Sequence, residues 1–214
     1  MQIPFTIDEF YGIFRDYNDA VWPAQWLLLG LALVAIFLVF RPRPWSGVVI
    51  SGILALLWTW LAVVYHLVFF SAINPLAYLF SGISLAGAIV FMWQGVVHRK
   101  LQFAWPGGFR GWLGALLIAF ALIAYPAWSW AAGHGYPDMP TFGLPCPTTL
   151  YTIGLLAFLV VPYPRGPYVV PIIWSFIGAQ AAFFLGIPQD LSLLVAGVAG
   201  MILLVRARAG MTRD

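Results

Sequence analysis

Gly47-Val-Val-Ile-Ser-Gly-Ile-Leu-Ala-Leu-Leu-Trp58-Thr-Trp60-Leu-Ala-Val-Val-Tyr-His66-Leu-Val-Phe-Phe70 is a run of 24 residues within an apolar chain. It holds no Asp, Glu, Lys or Arg. A helix rises 1.5 Å per residue, so about 20 such residues cross a hydrocarbon core of about 30 Å. Lipid offers no partner to a backbone N–H or C=O, and a helix is the local structure that satisfies both within the segment. Residues 47–70 therefore read as a transmembrane helix.

On either side of it, six more apolar runs are bounded by Pro, Gly or charge: Val21–Phe40, Pro75–Val97, Gly111–Ala132, Leu144–Val161, Tyr168–Gly186 and Gln189–Val205. The last three are short, near the lower limit for spanning. The expectation is an all-α, multi-pass membrane protein of seven transmembrane helices. Residues 1–20 form an interfacial segment, 21–206 one membrane domain and 207–214 a tail.

Composition agrees. The 214 residues are 63% hydrophobic and 8% charged, with mean hydropathy +0.93. A soluble domain carries about 25% charged residues. A single core could not hide this much apolar surface, so the bilayer is the main partner. A net charge of +3 is too small to argue for nucleic acid. The lone Cys146 excludes an internal disulfide framework. The opening Met1-Gln-Ile-Pro-Phe-Thr-Ile-Asp-Glu has no basic or apolar region of the signal-peptide kind.

The loops set an orientation. Arg41, Arg43, Arg99, Lys100, Arg110, Arg165, Arg206, Arg208 and Arg213 fall on one side, nine of the ten basic residues. The other side holds Asp8, Glu9, Asp16, Asp19 and Asp138, with Arg15 as its one basic residue. Asp190, at the head of the last run, is counted with that acidic side. The positive-inside rule makes the basic face cytoplasmic. The N-terminus is then outside and the C-terminus cytoplasmic. Trp22, Trp26, Trp128 and Trp130 fall near one interface, and Trp45, Trp105 and Trp112 near the other, as aromatic belts do.

Before the first run, Thr6-Ile-Asp-Glu9 has the form of a capping box. Phe10, Ile13, Phe14 and Tyr17 follow at helical spacing. An amphipathic helix on the outer surface is expected, either as an anchor or as a lid over an outward-facing cavity.

The two halves of the chain share spacings. Pro23 precedes Gly30-Leu31 as Pro147 precedes Gly154-Leu155. Trp60, His66 and Phe69-Phe70 recur as Trp174, Gln180 and Phe183-Phe184. Pro75 and Ala86-Gly87 recur as Pro188 and Ala199-Gly200. A 3+1+3 parallel repeat is implied, the plan of transporters that hold substrate between two like units. The layout resembles the SWEET and semiSWEET sugar transporters in architecture. Pro23-Ala-Gln25 and Pro188-Gln189 do not reproduce the Pro-Gln motifs of those families.

A closer resemblance lies in Pro4-Phe5-Thr6, Tyr17-Asn18-Asp-Ala-Val-Trp22-Pro23 and Phe142-Gly-Leu-Pro-Cys146-Pro-Thr-Thr-Leu-Tyr-Thr-Ile-Gly154-Leu-Leu. These resemble DUF6064, a family of bacterial membrane proteins of unknown function, along essentially the whole chain. The resemblance implies a bacterial cytoplasmic (inner) membrane and no activity.

The chemistry-bearing residues are few. Counted this way, no span contains Asp, Glu, Lys or Arg, which argues against a carboxylate-driven pump and a retinal Schiff base. His66 is then the ionisable side chain within the bilayer, either hydrogen-bonded between helices or facing a cavity. Cys146, between Pro145 and Pro147, reads as the N-cap of the fifth span, where a helix N-terminus favours thiolate. Cys146, His66 and His134 together suit a soft metal ion such as copper, zinc or mercury. A packed cysteine or a redox thiol fits the same residues. Trp60 and Trp174 read as packed core rings or as facing indoles. No phosphate loop, zinc-protease pair or serine elbow occurs, so the chain leans away from enzymes and no cofactor is predicted.

The leading expectation is a small-solute or ion permease with a pathway between helices 1–3 and 5–7. Gln25, Trp60, His66, Thr149, Trp174 and Gln180 would line it. The alternatives are an outward-facing thiol or metal-binding protein for metal handling or redox, and a non-transporting sensor or accessory subunit, alone or as an oligomer.

Overall fold

The computed structural model describes residues 4–207. Met1–Ile3, Arg208, Arg213 and all of the tail beyond Ala207 lie outside the described residues. Those described form eight helical segments and no strand. In chain order they are α1 (Ile7–Val21), α2 (Ala24–Phe40), α3 (Ser46–Ala72), α4 (Ala77–Val97), α5 (Gly108–Ala131), α6 (Pro145–Leu156), α7 (Gly166–Phe184) and α8 (Pro188–Arg206). Five of them, α3, α4, α5, α7 and α8, are long and apolar enough to cross a membrane. A sixth is reached if α1 and α2, bent by 86° to each other, count as one span.

The outward faces are apolar. Leu27, Phe37, Leu116, Ile123 and Val205 are each more than 60% exposed on the protein's own surface. A water-soluble chain rarely presents contiguous patches of this kind, so these faces are built to meet lipid.

The capping box forms as expected. The Thr6 hydroxyl accepts from Glu9 N–H (3.2 Å), and the Thr6 N–H donates to the Glu9 carboxylate (2.7 Å). Phe10, Ile13, Phe14 and Tyr17 are buried against α3 and the loop around Leu144, so the apolar stripe of α1 packs on protein. The polar side is latched to the α5–α6 loop. Arg15 grips Asp138 with two bonds of 2.7 and 2.9 Å, and Asn18 donates to the carbonyls of Pro137 and Met139.

The bundle centres on α6. All of its residues except Cys146 are buried, among α5, α7 and α8. Gly114 and Gly154 let α5 and α6 approach so closely that a Cβ on Gly154 would lie 2.9 Å from the Gly114 carbonyl oxygen. Trp58 of α3, fully buried, donates to Thr152 of α6 at 3.2 Å.

α6 has 12 residues, which rise about 18 Å, too little for a span. Past Leu156 the chain turns at Ala157–Phe158 and then pairs with the α4–α5 loop through Phe103 and Leu159. The Ala104 N–H donates to Phe158 O at 3.0 Å, and Val160 N–H to Gln102 O at 2.8 Å. Arg110 donates to the carbonyls of Ala157 (3.0 Å) and Leu159 (2.7 Å), and the Tyr168 hydroxyl to that of Leu156 (2.7 Å). The carbonyls freed at the end of α6 are thus answered, as buried backbone requires.

The interhelical loops fall at two ends. The acidic end carries α1, the α3–α4 and α5–α6 loops and the α7–α8 turn, joined through Gln189 to Ser129 at 2.8 Å. The basic end carries the α4–α5 and α6–α7 segments just described.

Candidate functional site

Three helices depart from α geometry near the acidic end. In α3 the helix widens to π form over Leu61–Phe69, and in α5 over Phe120–Ala124. In α7 regular helix stops at Gly178, and Gln180–Phe184 continue as a separate turn beyond Ala179. Such π segments re-aim the side chains that follow them and recur at functional sites. They deliver Tyr65 and His66 from α3, Tyr125 from α5 and Gln180 from α7 to one cavity of about 610 Å³.

The walls of the cavity are aromatic. Phe10 and Phe14 of α1 line it, as do Tyr65, Phe70, Phe80 and Trp174. The His66 ring lies 4.9 Å from the Trp174 ring, which meets Phe80 edge-on at 5.2 Å. The exposed side chains of Leu76, Gln180 and Phe184 form the rim. The amphipathic α1 is therefore part of the cavity wall.

Inside the rim the polar groups are few and most are buried. His66 is fully buried, and neither ring nitrogen has a hydrogen-bond partner. The Trp174 side chain is 5% exposed and its indole N–H is also unpartnered. Asp190 is 1% exposed and accepts from the Tyr125 hydroxyl. The Cys146 thiol lies beside both Asp190 and Tyr125. Native proteins leave few buried polar atoms unsatisfied, so His66 and Trp174 in one cavity wall ask for a reason.

Of the residues singled out from sequence, the structure brings His66, Cys146, Trp174 and Gln180 to this cavity. The others lie elsewhere. Gln25 donates to Asn18 (2.6 Å) and Thr141 (3.2 Å), bracing α2 against the α5–α6 loop. Trp60 donates to the Tyr17 hydroxyl (2.8 Å) and borders a shallow groove between α3 and α4. It does not share the cavity with Trp174, so the two indoles form no common platform. Thr149 is buried in α6 with an unpartnered hydroxyl, away from the cavity lining. His134 stacks on Tyr11 with ring centroids 4.1 Å apart, outside the cavity. Among the described residues no group of three His, Cys, Asp or Glu is placed to hold a metal ion. The trio Cys146, His66 and His134 is not assembled.

Two local readings are corrected. Leu144 is the N-cap of α6, with Pro145 at the first helical position, and Cys146 lies inside the first turn. Asp190 is not a solvated loop residue. It is buried at the head of α8, where Tyr125 binds it, so a carboxylate does enter the apolar region. Its signal in the sequence was an acidic residue abutting an apolar run with no basic residue nearby. Tyr65 and Tyr125 carried no signal, because π segments that turn them inward have no short-range pattern.

The model of a family described as "Family of unknown function (DUF6064)" matches residues 7–213. The chain belongs to that family. No curated protein and no solved structure matches it.

Proposed function

We propose that this member of the DUF6064 family is a multi-pass protein of a bacterial cytoplasmic membrane. It binds a small solute in the cavity at its acidic, outer end and acts as a permease for it. The observation that carries this is the pair of buried, unpartnered polar side chains, His66 and Trp174, in the wall of one aromatic cavity. Pockets for small molecules have this make-up: mostly apolar walls with a few polar groups that fix orientation. A bound solute would satisfy the donors and acceptors that the protein leaves open.

Seven crossings, α2 to α8, fit this reading. The 86° bend lays α1 across α2, as an interfacial helix would lie beside a span. α6 crosses with the help of residues 157–161, a turn followed by Leu159 and Val160, which pair with the α4–α5 loop. Non-helical backbone is tolerated at that depth where protein surrounds it. The basic end faces the cytoplasm by the positive-inside rule. A 3+1+3 arrangement is supported by His66 and Gln180, equivalent in the repeat, lining one cavity. Toward the basic end Leu57, Trp58 and Leu61 are fully buried, so passage requires α3 and α7 to move at their π segment and break.

The test is uptake of radiolabelled sugars, amino acids and amines into proteoliposomes. A Cβ on Gly178 would lie 3.5 Å from both the Cys146 sulfur and the Trp174 indole nitrogen, and 2.8 Å from Leu193. Gly178→Leu therefore fills the cavity and should abolish uptake. Absence of uptake and binding across the panel, or uptake unchanged in Gly178→Leu, would overturn the proposal.

A second reading, a thiol site for metal handling or redox, is favoured by Cys146 lying beside Asp190 and Tyr125 in the cavity that His66 lines. It requires metal in the purified protein by elemental analysis, or reversible oxidation of Cys146.

A further inference from the structure

We propose that the solute is an organic cation: an ammonium group on an aromatic body that also carries a hydrogen-bond-accepting oxygen. This names the ligand class of the site and rests on the cavity being a binding site.

The first reason is a missing counter-charge. Asp190 is buried in the cavity wall and accepts from Tyr125. Among the described residues the one ion pair in the protein is Arg15–Asp138, and no Lys or Arg lines the cavity. A buried carboxylate without a cation is costly, more so in a membrane. A cationic ligand supplies a partner for this carboxyl group, whereas an anion would meet repulsion and a neutral solute would gain no charge pairing from it.

The walls suit the same class. Tyr65, Phe70, Phe80 and Trp174, with Phe10 and Phe14 of α1, surround the space beside Asp190. Aromatic faces attract ammonium groups, most strongly where water is excluded. The same rings accept an aromatic body by edge and face contacts.

The unpartnered donors specify the remainder. The Trp174 indole can only donate, and its N–H is buried and free. A neutral imidazole has one donor and one acceptor, and both His66 nitrogens are free. An ammonium alone would leave the donors unanswered, whereas a hydroxyl or ether oxygen on the same molecule would answer them. Outside the cavity, Asp8, Glu9, Asp16 and Asp19 stand on or beside α1 while Arg15 is paired to Asp138. A field of that sign raises the local concentration of cations at this end of the protein.

The test uses the full chain in lipid nanodiscs and three compounds of one shape: protonated 2-amino-1-phenylethanol, neutral 1-phenylethane-1,2-diol and anionic mandelate. Calorimetry should give an amine affinity at least about tenfold above that of the diol, equivalent to about 1.4 kcal/mol, with mandelate weakest. Asp190→Asn should erase the preference for the amine over the diol. In the unaltered protein the amine should also slow alkylation of Cys146 by N-ethylmaleimide, a readout that needs no variant to fold. Equal or tighter binding of the diol or mandelate would overturn the cation class and leave the cavity as a site. Binding by none of the three, with Cys146 unprotected, would overturn both.

Discussion

Replacing Gly154 by alanine should separate α5 from α6 and destabilise the whole bundle. A Cβ there would sit 2.7 Å from Ile118 Cγ1, 2.9 Å from the Gly114 carbonyl oxygen and 3.2 Å from the Ile118 backbone nitrogen. Comfortable carbon contacts begin near 3.5 Å, so the seam must open by roughly 0.6–0.8 Å. Two of the three obstacles are backbone, so no rotamer change can relieve them. Overpacking of this kind costs about 1–3 kcal/mol, and for a chain of this length about 2 kcal/mol corresponds to about 4–8 °C in Tm. Gly82 of α4 provides the control. A Cβ there meets nothing within 4 Å, and alanine is the better helix former by about 0.5–1 kcal/mol. Thermal unfolding of the two variants in the same detergent, followed by tryptophan fluorescence, compares them. A Gly154→Ala protein as stable as wild type, or a Gly82→Ala protein less stable than Gly154→Ala, would refute the central position of α6.

Three further outcomes follow from named contacts. Arg110→Met should leave the carbonyls of Ala157 and Leu159 without their donor. Buried acceptors so abandoned cost about 1–3 kcal/mol each, which a Tm lowered as much as by Gly154→Ala would register. The Thr6 backbone and hydroxyl bonds hold the Glu9 carboxyl below its ordinary pKa. The capping box is therefore intact above the usual carboxylate range and is lost as pH falls through the lowered value. Hydrogen exchange in the first turn of α1 should accelerate on acidification while α6 stays protected, and Glu9→Gln should remove the pH response. The Arg15–Asp138 clasp is exposed, and pairs of that kind contribute about 0–1 kcal/mol. Asp138→Asn should thus speed modification of Cys146 by no more than about fivefold. A change of a hundredfold would mean that α1 is held by this clasp alone.

Much of the fold was legible in the sequence. Thr6, Glu9 and the stripe Phe10, Ile13, Phe14, Tyr17 gave α1, because capping and helical spacing are local. The apolar run at 47–70 gave α3 for the same reason. The end of α6 was not legible: a run from Leu144 to Val161 reads as one helix. Its last residues instead pair with Gln102 and Ala104, about 55 residues earlier in the chain, a contact between distant segments that no periodicity announces. The site was half legible. His66, Cys146, Trp174 and Gln180 converge, and each stood out as a polar or aromatic residue in or at the end of an apolar run. Gln25 and Trp60 stood out equally but spend their hydrogen bonds on Asn18, Thr141 and Tyr17. Asp190 was misplaced because a residue at a span boundary can turn either way, and Tyr125 of α5, 65 residues earlier in the sequence, decides that it turns in.

The cysteine at the cavity allows its access to be measured on the native chain, since Cys146 is the one cysteine present. In sealed right-side-out membrane vesicles, an impermeant trimethylammonium methanethiosulfonate added outside should modify Cys146, and wild-type protein should react faster than Gly178→Leu. Modification from the cytoplasmic face alone, or no reaction in native protein where the denatured chain reacts fully, would contradict a cavity open at the outer end.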